Sequence, residues 1–379
     1  MSRFKNEPTH AHYLVAGGAG FLGSYIVEAL VARGEDHVAV YDLTEPSEAD
    51  KVPTVSYFRG DICDAPRLVD VLGHTQTTIV FHVASPVRGL PDSIYTRVNV
   101  KGTRTLLEAC RHPSLNGAIG KLVYTSSTGV VWTSKELAGV SEDEVGIPDK
   151  GFDAYHHTKA VAESMVLAEN KGGLRTVAMR PCGMIGPRDG QLLFRLARLL
   201  ADGQHKIQIG DNSASIDWVY PGNVADAHLL AVDRLPWPAE DDVSADTTHA
   251  VAGQAFFITN GMPMRQLDFS RMVWLQMGAP LEDFKPRSIT KIPRWWALCV
   301  ATATEAWCAV TGGTTEFTRF SIRYLTTTQW YNIEKARNVL GYEPRVTLEE
   351  SVHLATKWWK ERGEREYLEK PEATPFKKA

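Results

Sequence analysis

Apolar residues in the first half of this 379-residue chain follow two alternating patterns. Short runs rich in β-branched and aromatic side chains read as strands: Tyr13 to Ala16, His37 to Tyr41, Val55 to Phe58, Thr78 to Val83, Leu122 to Thr125 and Thr176 to Met179. Between them, Phe21 to Ala32, Ile94 to Cys110 and Tyr155 to Glu169 place apolar residues three and four apart, the period of a helix with one buried face. Such alternation predicts an α/β fold with a doubly wound parallel sheet of the Rossmann type. After Pro181 the regularity decays into a helical stretch Leu192 to Leu200, a run Lys206 to Ile209, and DWVYPGNVADAHLLAV, whose second half is an amphipathic helix. From Met262 onward the pattern is mainly helical, and Thr347-Leu-Glu-Glu350 is a capping box opening a last helix.

Composition narrows the chemistry. With 44% hydrophobic residues the chain can bury a full core, and a net charge of −4 without any dense Lys/Arg run argues against a nucleic-acid surface. The five cysteines are scattered and never spaced C-x-x-C, which implies free thiols in a reducing compartment and no metal. The opening MSRFKNEPTH is polar, so synthesis is expected to finish in the cytosol. One segment is ambiguous. Ile292 to Gly312 approaches membrane-spanning length but carries Arg294 and Glu305, which disfavours a spanning helix. Trp295, Trp296 and Trp307 fit a helix lying in a lipid interface or covering a greasy cleft, and an ordinary buried helix is the equal alternative.

The first strand runs into Gly17-Gly18-Ala19-Gly20-Phe21-Leu22-Gly23, which satisfies G-x-G-x-x-G at the start of a helix. Residues without side chains let the backbone approach a pyrophosphate held at the helix N-terminus, so Gly17, Gly20, Phe21, Leu22 and Gly23 are candidate cofactor contacts. Asp42, nineteen residues after Gly23, would accept hydrogen bonds from the adenosine ribose and repel a 2′-phosphate, which favours NAD over NADP. Asp61 and Ile62 follow the third strand, where the adenine edge would lie. The dinucleotide domain is therefore expected at 11–185, with 215–260 returning to it, and a substrate lobe at 186–214 and 261–379.

Tyr-x-x-x-Lys occurs twice, at Tyr155 to Lys159 and at Tyr331 to Lys335. Tyr155 starts a helix within the strand-helix alternation and can reach the carboxyl end of the sheet; Tyr331 lies outside it, with Asn332 as a cap and Gly341 as a stop. One helical turn from Tyr155, the Lys159 ammonium would favour the ionised phenol, which alone titrates near pH 10. Ser127 is the candidate third member, with Ser126 in reserve.

VAGGAGFLG, Asp42, HVASP, VNVKGTR, VYTSS, Tyr155-x-x-x-Lys159, MRPCGMIGPRDGQL and DWVYPGNVADAHLLA occur in an order that resembles the 3β-hydroxysteroid dehydrogenase branch of the extended short-chain dehydrogenases. Within it the chain is most similar to the fungal enzymes that oxidise and decarboxylate sterol 4α-carboxylates, and the likeness runs through FFITNG to ARNVLGYEPRVTLEE. The resemblance implies Tyr155 as base, Lys159 as its electrostatic partner and a ribose ligand, and Ser127 as orienter of the substrate oxygen. It also implies Ala84 and Pro181 beside the cofactor and Asn99 as a support for the neighbouring helix. The implied reaction is NAD-dependent oxidation of a sterol 3β-hydroxyl, with CO₂ lost from a 4α-carboxylate; Arg88 and Arg188 are candidate cations on the substrate side. The implied place is the cytoplasm or the cytosolic face of the endoplasmic reticulum, with peripheral membrane contact through 292–312 and a homodimer compatible with it. Ala16 departs from the Thr common before the glycines, and Ser85 to Pro91 and Trp132 to Val140 match less closely. Oxidation of a triterpenoid or meroterpenoid 3-hydroxyl without decarboxylation is the alternative. A linked isomerase would need an acid-base pair that the sequence does not show, and a non-catalytic nicotinamide sensor would be expected to have lost Tyr155 or Lys159.

Overall fold

Seven parallel strands form the main sheet in the computed structural model, which describes residues 7–238, 251–313, 315 and 317–369. They are β1 (Tyr13–Ala16), β2 (Val38–Asp42), β3 (Ser56–Arg59), β4 (Ile79–His82), β5 (Lys121–Thr125), β6 (Arg175–Pro181) and β7 (Ala255–Ile258). Their order is β7-β6-β5-β4-β1-β2-β3, and every pairing is parallel. The order reverses between β1 and β4, so a crevice opens at the carboxyl ends of these two strands.

Both faces are covered, which is why the central strands read as unbroken apolar runs. On one side Val15, Phe81 and Val123 pack under α1 (Phe21–Ala32) and a later helix, Pro221–Arg234, through Ile26, Leu30, Leu229 and Leu230. On the other, Leu14, Val80 and Leu122 meet α2 (Ala65–His74), α3 (residues 92–110) and α4 (Ala154–Ala168) through Leu68, Leu106 and Val166. α3 is a continuous run through Asp92–Tyr95, the π-helical Thr96–Gly102 and Thr103–Cys110, and it contains the expected Ile94 to Cys110. The Pro221–Arg234 helix, α5, is the amphipathic segment expected after DWVY. The fold is α/β of the Rossmann type.

A second core gathers Ile185, Leu196, Trp218, Phe269, Trp274 and Val352 from the later chain. It is not purely helical. Met264–Arg265, Ser215–Ile216, Gln329–Tyr331 and Leu137–Val140 form a small mixed sheet in that order. Strands of two or three residues carry no readable period, and Leu137–Val140 has no fully buried residue, so the sequence does not announce them. The last helical stretch opens where the capping pattern places it: the Thr347 hydroxyl accepts from Glu350 N at 3.2 Å, ahead of Leu348–Trp358. Parts of the expected 215–260 and 261–379 ranges, namely 239–250, 314, 316 and 370–379, lie outside the described residues.

The segment Arg294–Thr311 is a helix, α6, that buries only Ala297 and Ala301. Trp295, Trp296, Trp307 and Val310 are 66%, 52%, 70% and 85% exposed, which overturns the ordinary buried-helix reading. Its inward stripe is made of small residues, and its large side chains face out. No helix among the described residues is long and apolar enough to cross a membrane.

Candidate active site

The glycine turn connects β1 to α1 against the end of β4. Gly17 has φ +89°, and a Cβ there would stand 2.5 Å from Ala84 N, so both the backbone angle and the close strand require glycine. Ala84 N in turn donates to Ala16 O at 2.8 Å, which fixes the HVASP segment beside the turn. At Gly23 a Cβ would meet Gly17 O at 2.0 Å, so α1 could not start so close to the turn with any other residue. A Cβ on Gly20 would touch only Gly17 O, at 3.3 Å, so the outer side of the loop is open. No side chain caps α1, whose first turn contains Phe21 and Leu22. Free first-turn N–H groups at a helix N-terminus suit a pyrophosphate. The residues present fit a dinucleotide.

Asp42 ends β2, and its Oδ2 accepts from Ala19 N at 3.0 Å. Burial pushes its carboxyl above the usual range, against hydrogen bonds from the backbone at Thr44 and Ala19. It stands beside the glycine loop, where a ribose would lie. Asp61 is ion-paired with Arg97 and accepts from Cys63 N at 2.9 Å, and Ile62 packs against Gly102. Arg188 is not on the substrate side. It is paired with Glu28 and lies 4.5 Å over the Tyr25 ring, lining a cavity of about 210 Å³ with Gly18, Ala19, Gly20 and Phe21.

Asp153 opens α4 by accepting from His156 N at 2.8 Å, which places Tyr155 in the first turn of the helix. The Ser127 hydroxyl, on the loop after β5, accepts from Gly129 N at 3.1 Å. Ser126, by contrast, is buried with its Oγ lacking a partner among the described residues. Burial raises the Tyr155 pKa, while the Arg88 cation and the Ser127 hydrogen bond pull it down. Lys159 is buried at the next turn, donates to Thr125 O, and lies 4.5 Å over the Tyr124 ring. Burial brings its pKa down to about 7 against the opposing field of Glu163, which is itself paired with Arg180.

The helix carrying Tyr155 is tied to the loop after β4. Asn99 is buried, accepts from the Ser85 hydroxyl at 3.1 Å and donates to Thr158 Oγ1 at 3.0 Å. Pro181 closes β6 opposite Ile258 of β7. Tyr331 is buried in the small sheet, its hydroxyl donates to Thr128 O at 3.5 Å, and Lys335 turns away from it to donate to Gln254 Oε1 at 3.0 Å. The second Tyr-x-x-x-Lys is thus not one constellation.

Sequence spacing did not reveal the wall around Tyr155. The Arg88 guanidinium lies 4.4 Å over the Tyr155 ring and 5.4 Å over Phe320. Trp132 packs against Phe152, Phe320 and Tyr324 with ring centroids 5.0–6.0 Å apart. Phe320 and Tyr324 come from the short helix Arg319–Leu325, far along the chain, so only the folded topology brings them here.

The sequence profile of the 3-beta hydroxysteroid dehydrogenase/isomerase family matches residues 14–287. The chain is 36% identical over 343 residues to the sterol-4-alpha-carboxylate 3-dehydrogenase erg26, decarboxylating, of Schizosaccharomyces pombe, covering 90% of this chain and 95% of that one. It is 35% identical over 343 residues to a 2-alkyl-3-oxoalkanoate reductase of Stenotrophomonas maltophilia, covering 89% and 96%. Among solved structures, the dTDP-glucose 4,6-dehydratase DesIV double mutant of Streptomyces venezuelae with NAD bound superposes with a TM-score of 0.68, at 21% identity, over 93% of this chain and 98% of that one. That likeness concerns the fold.

Proposed function

Because the chain belongs to the 3-beta hydroxysteroid dehydrogenase/isomerase family, we propose that it is an NAD-dependent dehydrogenase oxidising the 3β-hydroxyl of a 4-carboxysterol to the ketone, with loss of CO₂. The observation that carries the reading is the position of Tyr155. It stands in the first turn of α4, the helix that follows β5 and the Ser127 loop, with the Arg88 guanidinium 4.4 Å over its ring.

NAD, when bound, supplies the hydride acceptor. Tyr155 takes the proton of the 3-hydroxyl, and general-base help of this kind is worth about 10²- to 10⁴-fold. Ser127 holds the substrate oxygen through its hydroxyl. Lys159, positive below its pKa of about 7, favours the ionised phenol by charge and offers its ammonium to a ribose. Gly17, Gly20, Phe21, Leu22 and Gly23 would hold the pyrophosphate, Asp42 the ribose, Asp61 and Ile62 the adenine side, and Ala84 and Pro181 the nicotinamide side. Oxidation leaves a carboxylate one carbon from a ketone. The bond to the carboxylate carbon then breaks, its electron pair forms the enolate, and CO₂ departs without a dedicated decarboxylase residue. The two relatives' names share this arrangement: a 4-carboxylate beside C3 in one, and a 1-carboxylate with a 3-oxo group in the other.

The exposed face of α6 supports a peripheral contact with lipid. Its exposed Thr302 and Thr311 hydroxyls turn back onto Leu298 O and Trp307 O at 2.8 and 2.9 Å, so these two donors are satisfied on their own helix. On the inner side Ile322 packs on Ala297 and Ala301, and the same short helix presents Phe320 and Tyr324 to the Tyr155 wall. A sterol leaving a bilayer under the tryptophans would be one helix away from the chemistry.

The test is turnover of purified protein with NAD and a pair of 3β-hydroxysterols that differ only in the 4α-carboxyl group. The reading expects the higher kcat/KM for the acid, one NADH per turnover and a ketone lighter by CO₂. Oxidation of the carboxyl-free sterol alone, or a carboxylate retained in the product, would sink it.

A further inference from the structure

Hydride removal from a neutral alcohol needs no second cation beside Tyr155, yet the fold builds one there. Arg88 lies on the loop between β4 and α3, and that loop is fastened along its length. Arg88 N donates to Gln191 Oε1 at 3.3 Å, Leu90 N donates to the Tyr95 hydroxyl at 3.0 Å, and that hydroxyl donates to Val87 O at 2.9 Å. The Tyr95 ring also meets the Tyr155 ring edge-on at 5.8 Å.

The guanidinium is aimed by a chain of two further residues. Arg88 Nη2 stands 3.0 Å from His156 Nε2, and His156 Nδ1 stands 2.6 Å from Asp153 Oδ1. A guanidinium can only donate, so Nε2 must accept and the imidazole proton must sit on Nδ1, donated to Asp153. His156 is buried beneath Gly129, where a Cβ would stand 2.1 Å from its Cδ2, and so has no room to turn. Burial and then the Arg88 charge lower its pKa, against the hydrogen bond to Asp153. Asp153 balances the cation only at a distance, with Oδ2 4.0 Å from Nη1. The Arg88 side chain is 41% exposed, and among the described residues His156 provides its only hydrogen-bond acceptor. The side chain is thus held from behind and available in front.

We propose that Arg88 binds the substrate carboxylate and makes the site selective for β-hydroxy carboxylates over plain secondary alcohols; this rests on the substrate reading above. With the alcohol oxygen at Tyr155 and Ser127, a carboxylate on the adjacent carbon is only a few bonds from the phenol and within reach of the guanidinium above the ring. Arg188, the other candidate, is occupied by Glu28 at the glycine turn. The position also suits the loss of CO₂. As the bond to the carboxylate carbon breaks, negative charge moves from the carboxylate to the ketone oxygen, so it stays beside the cation throughout. The hold is made by one charged group fixed at one edge, which directs the carboxylate without enclosing it.

The experiment compares three substrates, the 4-carboxysterol, its methyl ester and the carboxyl-free sterol, on the wild type, Arg88→Met and Arg88→Lys, with NAD affinity and Tm recorded for each. A charge-assisted hydrogen bond lost from binding corresponds to about a 10- to 100-fold effect. The wild type should prefer the acid over the ester by that order, mainly through KM. Arg88→Met should erase the preference, and Arg88→Lys, a point cation without the planar fork, should restore part of it. The arm with the ester removes the anion without touching the protein, so it reads the anchor even where a variant is poorly folded. Equal losses on all three substrates in Arg88→Met would overturn the anchor and leave Arg88 acting only on the Tyr155 phenol. A wild type indifferent to the carboxylate would instead overturn the substrate reading itself, and the anchor with it.

Discussion

Tyr155 and Tyr331 each stand four residues before a lysine, and their rings have different neighbours: the Arg88 guanidinium for the first and the Phe257 ring for the second. Tyr155→Phe should lower kcat about 10²- to 10⁴-fold while the Kd for NAD, read by fluorescence quenching, stays nearly constant, because the ring packing remains. Tyr331→Phe should keep kcat within a few-fold. The reverse pattern would exchange their roles. Much at this scale could be read from sequence, since Gly17 and Gly23 are imposed by local backbone geometry and Tyr155 by its place after the fifth strand. The choice between Ser126 and Ser127 could not be settled by spacing. It depends on which of two neighbours turns inward as the strand ends, and Ser126 is drawn into the sheet by its N–H bond to Met179 O at 2.6 Å.

At the scale of elements, legibility followed length and period. The main strands and helices were visible because runs of four or more residues face a core on both sides of the sheet, whereas Ser215–Ile216 and Met264–Arg265 exist only through their partners. The Arg88, His156 and Asp153 chain was invisible for a similar reason: α4 and the β4 loop meet only after the sheet has formed. α6 was identified as a helix, but its orientation was not, because tryptophans fit both a buried and an interfacial face. The exposed orientation carries a prediction. Replacing Trp295 and Trp296 with Ser should weaken association with phospholipid vesicles about tenfold or more per residue, on the scale of burying a large apolar side chain, and change Tm little. A large fall in Tm with unaltered vesicle binding would show that the helix serves packing.

For the molecule as a whole, Asp217 marks where the two cores join. It is fully buried beside the small sheet, its Oδ2 accepts from Tyr331 N at 2.9 Å, and Oδ1 lacks a partner among the described residues. Burial raises its pKa from 3.8 to about 7, so the folded state holds this proton more tightly than the unfolded chain does. Its contribution is therefore complete below about pH 4 and is lost as the pH rises toward and through 7, by at most about 4 kcal/mol. Asp189, raised by burial to about 6, acts with the same sign. Asp217→Asn should exceed the wild-type Tm by more at pH 8 than at pH 5; a constant difference between the two pH values would remove Asp217 as the cause. The late arrival of Phe320 and Tyr324 has a further consequence, for synthesis on the ribosome. Domains fold broadly in the order in which they emerge. The strands and helices that carry the glycine turn, Asp42, Tyr155 and Lys159 precede residue 182, whereas the aromatic wall comes from Arg319–Leu325 and the second core is completed by Val352. A nascent chain can thus possess Tyr155, Lys159 and Arg88 well before Phe320 and Tyr324 arrive to complete the apolar wall beside them.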